Sequence, residues 1–333
     1  VTINTAIAIA VHATMVALSA LPHFPAERAD RFYTVQILAT SIENRQALLS
    51  IHDSLREKGR LVYYYPKRVN GRRYWRLRTG IFEQAAQAGT YAEMLKKEGF
   101  ECFVARADVA VTTFKDRFRI VTTPSGIWLA QGSSARELYA PAREQIDLGY
   151  TAPRISPDGT AIAFYADRRI VRVTLETGAV QILREAASDD DLFHSVVRWS
   201  PDGRYIGYLD VAEWELPTRL WIMRADGTEN RCLVGDETCQ TKVKSFEWHP
   251  YKNRFFYVSG PTYGTVSLGG HLCCIDLDGT RRTLVEAELR GGIEVLAEFR
   301  IASGLLEYRI AHHNADGKEP QYTLHKRPLS ELD

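Results

Sequence analysis

The sequence has almost no surplus of charge of either sign: 42 Lys and Arg stand against 41 Asp and Glu, for a formal net charge of +1. Bulk charge therefore gives no general affinity for polyanions. With 45 % apolar and 25 % charged residues, wholesale disorder is excluded as well. Cysteine is scarce. Five in 333 residues are too few for a disulfide framework, and no Cys or His spacing reads as a metal site. His312 and His313 are adjacent rather than one helical turn apart. Cys232 and Cys239 could pair in an oxidising compartment, Cys273 and Cys274 alternate across a strand, and Cys102 reads as a small buried filler. Enzyme signatures are missing too. There is no Gly-x-Ser-x-Gly elbow, and the glycine-rich stretch 260–270 lacks the Gly-Lys-Ser/Thr ending of a phosphate loop. Neither a cofactor nor a metal is expected.

Two acidic groupings remain, and the simpler reading of each is a solvated loop. Asp189-Asp190-Asp191 could hold a cation. Glu213 and Glu215 flank Trp214 and could serve glycosidase chemistry, which needs paired carboxylates.

What is present starts with an apolar run. Residues 5–21 are small or apolar except for His12, Thr14 and Ser19, and Pro22, Pro25 and a charged stretch come next. That length suits the core of a signal peptide or a short anchor. Residues 1–26 are therefore expected to be a leader or membrane anchor, with the remainder periplasmic.

Residues 27–110 read as β-α-β-β-α-β. Apolar residues at Leu48, Ile51 and Leu55 carry a helical spacing that ends at Gly59, and a second helix over roughly 84–98 stops at Gly99. Strands are expected at 32–39, 61–65, 73–79 and 100–106, the middle two joined at Asn70-Gly71, a strong hairpin signal. Two helices on one face of such a sheet leave the other face open. Alternation sends Val35, Ile37 and Leu77 one way and Gln36, Arg76 and Arg78 the other, with Tyr74 in the phase of Arg76. Gln36, Tyr74, Arg76 and Arg78 are the candidate binding residues, and Tyr63 or Tyr64 could add an aromatic platform.

Residues 111–333 change character to short strands separated by turns. Arg154-Ile155-Ser156-Pro157-Asp158-Gly159 recurs as Arg198-Trp199-Ser200-Pro201-Asp202-Gly203, and more loosely as Glu247-Trp248-His249-Pro250. Repeats of roughly 40–50 residues with four strands each are the signature of propeller blades. The span accommodates about five blades, six if they are short, and a closed ring would leave no open array end. Trp199 is expected to pack between neighbouring blades.

Tyr33-Thr34-Val35-Gln36-Ile37, Trp75-Arg76-Leu77-Arg78-Thr79-Gly80-Ile81-Phe82 and Lys97-Glu98-Gly99-Phe100-Glu101-Cys102-Phe103-Val104 resemble the SPOR (sporulation-related) domain family in order and spacing. Leu38 and Thr40 stand where that family usually has a Gly and an aromatic, and Ile81 where it has Pro. The Ser-Pro-Asp-Gly repeats, with Leu220-Trp221-Ile222-Met223 and Asp278-Gly279-Thr280, resemble the β-propeller of TolB and related periplasmic proteins. The resemblances imply an α+β SPOR domain followed by an all-β propeller. They imply a non-enzymatic envelope protein that holds peptidoglycan glycan strands through the first and a partner protein through the second, with no nucleic acid bound. The competing readings are a glycan-cleaving enzyme targeted by the small domain and an RNA-binding domain of the same β-α-β-β-α-β topology.

Overall fold

The computed structural model describes residues 32–41, 45–70, 72–107, 109–115, 117–131, 134–141, 152–187, 195–211, 216–235, 238, 240–262, 269–288, 292–313 and 320–332. The leader or anchor expected at 1–26, Asp189–Asp191, Glu213 to Glu215 and Cys239 lie outside these residues, and with Cys239 the expected pairing to Cys232. Among the described residues no helix is long and apolar enough to cross a membrane.

The first sheet contains β1 (Tyr33–Ser41), β2 (Val62–Val69), β3 (Arg72–Phe82) and β4 (Phe103–Arg106), in the order β2-β3-β1-β4, all antiparallel. α1 (Arg45–Glu57) and α2 (Ala85–Lys97) connect them. Leu48 and Leu55 of α1 and Ala88, Ala92 and Leu95 of α2 are buried together with Val35 and Leu77. β2 runs past Pro66, beyond the end expected from the sequence. β2 is an edge strand, and there a residue without an N–H leaves no ladder bond unmade.

Four-stranded antiparallel meanders come next. The first is β5 (Ala110–Phe114), β6 (Phe118–Thr123), β7 (Gly126–Gln131) and β8 (Ser134–Tyr139). The second is β9 (Arg154–Ile155), β10 (Ala161–Ala166), β11 (Arg169–Thr174) and β12 (Val180–Glu185). The third is β13 (Val197–Trp199), β14 (Tyr205–Leu209), β15 (Leu220–Arg224) and β16 (Arg231–Val234). The fourth is β17 (Thr241–Trp248), β18 (Arg254–Pro261), β19 (Gly269–Asp276) and β20 (Arg281–Val285). The fifth has β21 (Ile293–Ala302), β22 (Leu305–His312) and β23 (Gln321–Pro328), and is joined to the fourth where Gly269 and Gly270 pair with Leu296 and Val295.

The repeat chemistry builds the turns. Ser156 N–H donates to the Ala161 carbonyl at 2.8 Å, Ser200 to Tyr205 at 2.9 Å and His249 to Arg254 at 2.8 Å, the same closure in three copies. Asp158 and Asp202 each accept a backbone N–H from two residues on, and Gly159 and Gly203 supply φ of 75° and 72°. In the loose copy His249 Nδ1 accepts from Tyr251 N–H, taking over the side-chain acceptor role. The aromatic before each turn joins neighbouring sheets: Trp199 Nε1 donates to the Arg154 carbonyl at 2.8 Å, and Trp248 Nε1 to the Arg198 carbonyl at 3.2 Å.

Each successive pair of meanders shares one apolar cluster. Ring closure, expected from the repeats, is not found: among the described residues no strand pairing or apolar cluster joins the fifth sheet to the first. The reason lies at both ends. The first sheet has four strands of its own, so none is left over to complete the three-stranded fifth. The face of the first sheet that carries Val121 and Trp128 belongs to the cluster of the β1–β4 domain. The face of the fifth sheet opposite Phe299, Leu306 and Tyr308 is a charge ladder, with Glu307 held by Arg300 at 2.6 Å and Lys326 at 2.8 Å and Arg309 bound to Glu298 at 2.7 Å.

Candidate functional site

Strand register sorts the side chains of the first sheet into two faces. Tyr64 aligns with Leu77 and goes to the helical side, meeting His52 of α1 edge-on at 5.1 Å and Trp75 at 5.7 Å. The other face carries aligned rows: Tyr63 with Arg78, Gln36 and Phe103, then Tyr65 with Arg76, then Lys67 with Tyr74. Gln36, Tyr74, Arg76 and Arg78 therefore share one face. The ladder shifts register between Gln36 and Leu38, and Ala39 is the β1 partner of Arg76.

The open face expected from the sequence is corrected at two of its polar members. Gln36 is 7 % exposed and Arg78 4 %, and Tyr63 is fully buried. Arg78 donates from Nη1 to the Arg106 carbonyl at 2.7 Å, and its guanidinium lies over the Tyr65 ring at 5.2 Å. The cause is the segment of chain beyond β4. Ala107 and Val109 are buried, and their apolar cluster includes Tyr63 and Tyr65 and runs on to Val121 and Trp128 of the first meander. Tyr64 N–H donates to Ser125 Oγ at 3.2 Å, and ion pairs Arg56–Glu137 and Arg119–Glu83 flank the junction. Neither Tyr63 nor Tyr64 offers an exposed ring. That role falls to half-buried Tyr74.

The accessible part of the face is half-buried Arg76 and Tyr74, with exposed Lys67 beside them and Phe103, 58 % exposed, on β4. It combines cationic donors with flat aromatic surface, which suits a ligand bearing carboxylates, amides and sugar rings. Lys67 and Phe103 are not among the residues that the sequence singles out. Lys67 lies beyond Pro66, outside the expected strand; Phe103 carries no signal of its own.

Cys102, expected to be buried, is only partly so; it donates from Sγ to the Ala92 carbonyl at 3.4 Å, and desolvation pushes its thiol pKa up. Among the described residues no group of three or more His, Cys, Asp or Glu could hold a metal ion.

The model of the SPOR domain family matches residues 29–106. No curated protein matches the chain. Among solved structures, a TolB-like protein from Agrobacterium tumefaciens is similar at 16 % identity and TM-score 0.36, over 51 % of this chain and 62 % of that one. The β-propeller domain of the Trilobed protease from Pyrococcus furiosus is similar at 16 % and 0.38, over 68 % and 67 %. A dipeptidyl aminopeptidase IV from Bacteroides ovatus is similar at 11 % and 0.44, over 86 % of this chain and 47 % of that one. The chain thus spans less than two thirds of the TolB-like protein and about half of the peptidase. Residues 29–106 are a SPOR domain, a peptidoglycan-binding kind of domain, followed by an array of antiparallel sheets.

Proposed function

We propose that the protein is a non-catalytic, periplasmic component of the bacterial cell envelope. Its SPOR domain holds peptide-free peptidoglycan glycan strands, and its array of sheets presents a surface to a partner protein. The observation that carries the glycan half is the SPOR match together with a face on which Arg76 and Tyr74 remain accessible. Arg76 meets lactyl carboxylates and Tyr74 stacks on a sugar ring. Gln36 and Arg78 shape the floor beneath them. The RNA-binding reading would draw on the same accessible rings, Tyr74 and Phe103, but the family match of residues 29–106 is to the SPOR domain.

The test is co-sedimentation of the full chain with cell-wall sacculi, before and after an amidase strips their peptides. Stripped sacculi are expected to retain more protein. Arg76→Ala with Tyr74→Ala is expected to weaken retention about 10–100-fold, as for a lost charge-assisted hydrogen bond, with stability within about 0.5 kcal/mol of the parent. Glu57→Gln, exposed on α1, is expected to leave retention intact. Parent-like retention by the double variant overturns the glycan half.

A further inference from the structure

A cavity of about 240 Å³ opens where the second and third meanders meet, lined by Arg172, Arg204, Arg224, Ala225 and Asp226. Arg172 is on β11, Arg224 ends β15, and Arg204 immediately precedes β14. Its wall is tied across the two sheets. Gln181 of β12 donates from Nε2 to the Asp226 carbonyl at 3.0 Å, and Gly227, with φ of +89°, lets the turn lie on the Leu183 backbone. A Cβ at position 227 would stand 3.1 Å from the Leu183 carbonyl oxygen.

The charges in this cavity are unevenly matched. Arg204 is held through Nε by Asp202 at 2.7 Å. Asp226 is turned into its own bend, accepting from Thr228 N–H at 3.0 Å and Thr228 Oγ1 at 2.6 Å. Arg224 lies 3.5 Å from a carboxylate oxygen of exposed Glu229 and within electrostatic reach of Asp226. Arg172 touches the amide oxygen of Gln181 at 3.4 Å, and its buried Nε has no hydrogen-bond partner among the described residues. Buried donors are nearly always satisfied, and converging cations repel until an anion comes between them. Tyr205 adds a ring, with the guanidinium groups of Arg204 and Arg224 each 5.9 Å from its centre.

We infer that this inter-sheet cavity binds an oxyanion-bearing group, a carboxylate or phosphate, with Arg172 and Arg224 as its principal ligands and Arg204 as the third. Guanidinium forks match planar oxyanions in bidentate fashion. The cavity is smaller than the roughly 300–1,000 Å³ of sites for drug-sized ligands, so it takes one small anion or one acidic group. This site is independent of the SPOR reading and stands or falls without it.

Calorimetric titration of the full chain at low salt decides the matter, with inorganic phosphate, citrate and a short Asp/Glu-rich peptide as separate probes. Saturable binding of at least one probe is expected, weakened by added NaCl because the contacts are ionic. Binding of phosphate or citrate identifies a free anion as the ligand; binding of the peptide alone identifies an acidic group on a partner. Arg172→Gln with Arg224→Gln is expected to weaken binding at least about tenfold, and Asp226→Asn to strengthen it. If the double variant does not fold, Arg224→Gln alone decides, since that side chain is 42 % exposed and its loss leaves packing in place. Failure of every probe to saturate, or undiminished binding in the arginine variants, overturns the proposal.

Discussion

At the scale of single residues, two tryptophans in equivalent repeat positions differ in surroundings. Trp248 is 7 % exposed with Phe255 against it at 3.7 Å between ring centres, whereas Trp199 is only half-buried. Trp248→Ala should cost about 3–5 kcal/mol and Trp199→Ala less, about 1–3 kcal/mol, measured by denaturant unfolding. Equal losses would contradict the burial difference. Tyr208 gives a pH-dependent case. Its hydroxyl accepts from Arg184 Nη1 and donates to Asn230 Oδ1, both at 2.7 Å, and burial pushes its pKa up to about 12. The folded state keeps this proton more tightly than the unfolded chain, whose tyrosines titrate near 10. The stabilisation is thus complete below about pH 10 and lost as pH rises through 12, roughly 2–3 kcal/mol in all. Tyr208→Phe should flatten unfolding free energy against pH across that window; an unchanged slope would contradict it.

At the scale of elements, the Pro-Asp-Gly turns were legible because their chemistry is local: a fixed φ at Pro, an acceptor at Asp, a positive φ at Gly. What each turn packs against was not. The Gly159 turn lies on Phe114 of β5, and a Cβ there would clash with the edge of that ring. At Gly203 a Cβ would sit at an ordinary 3.6 Å from Pro157. Both substitutions to Ala carry the left-handed penalty of about 1–2 kcal/mol, and Gly159→Ala adds a clash. Thermal unfolding should therefore rank Gly159→Ala well below Gly203→Ala, and the reverse order would contradict the packing of β5 on the second meander. The same limit applied to the SPOR sheet. Alternation assigned Gln36, Tyr74, Arg76 and Arg78 to one face, because a two-residue period is written in the strand itself. It could not show that Gln36 and Arg78 are buried, or that Tyr63 shares a cluster with Ala107 and Val109 beyond β4, since no local pattern in β1, β2 or β3 records a neighbour so far along the chain.

For the whole molecule, the described residues form a succession of layers, the SPOR domain packed on the first meander and the others arranged in chain order. Repeat spacing made a succession of antiparallel meanders readable. The closed ring expected from that spacing is not found among the described residues, because closure depends on a strand exchange between distant sheets that no local repeat records. The continuous cluster from Leu77 to Trp128 makes the SPOR domain dependent on its neighbour. Trp128 is 1 % exposed, so Trp128→Ala should cost about 3–5 kcal/mol. The loss should also raise amide exchange in β2, where Tyr64 N–H depends on Ser125. Unchanged exchange in β2 would show that the two layers fold separately.

The central claim, that glycan is held on the face away from the helices, is tested most directly by chemical-shift mapping. The full chain, isotopically labelled, is titrated with peptide-free glycan strands. The account predicts that the perturbed amides cluster at Lys67, Tyr74 and Arg76 and their strand partners in β2 and β3, with α1 and α2 unmoved. Perturbations centred on α1, α2 or the meanders, with β2 and β3 silent, would contradict it.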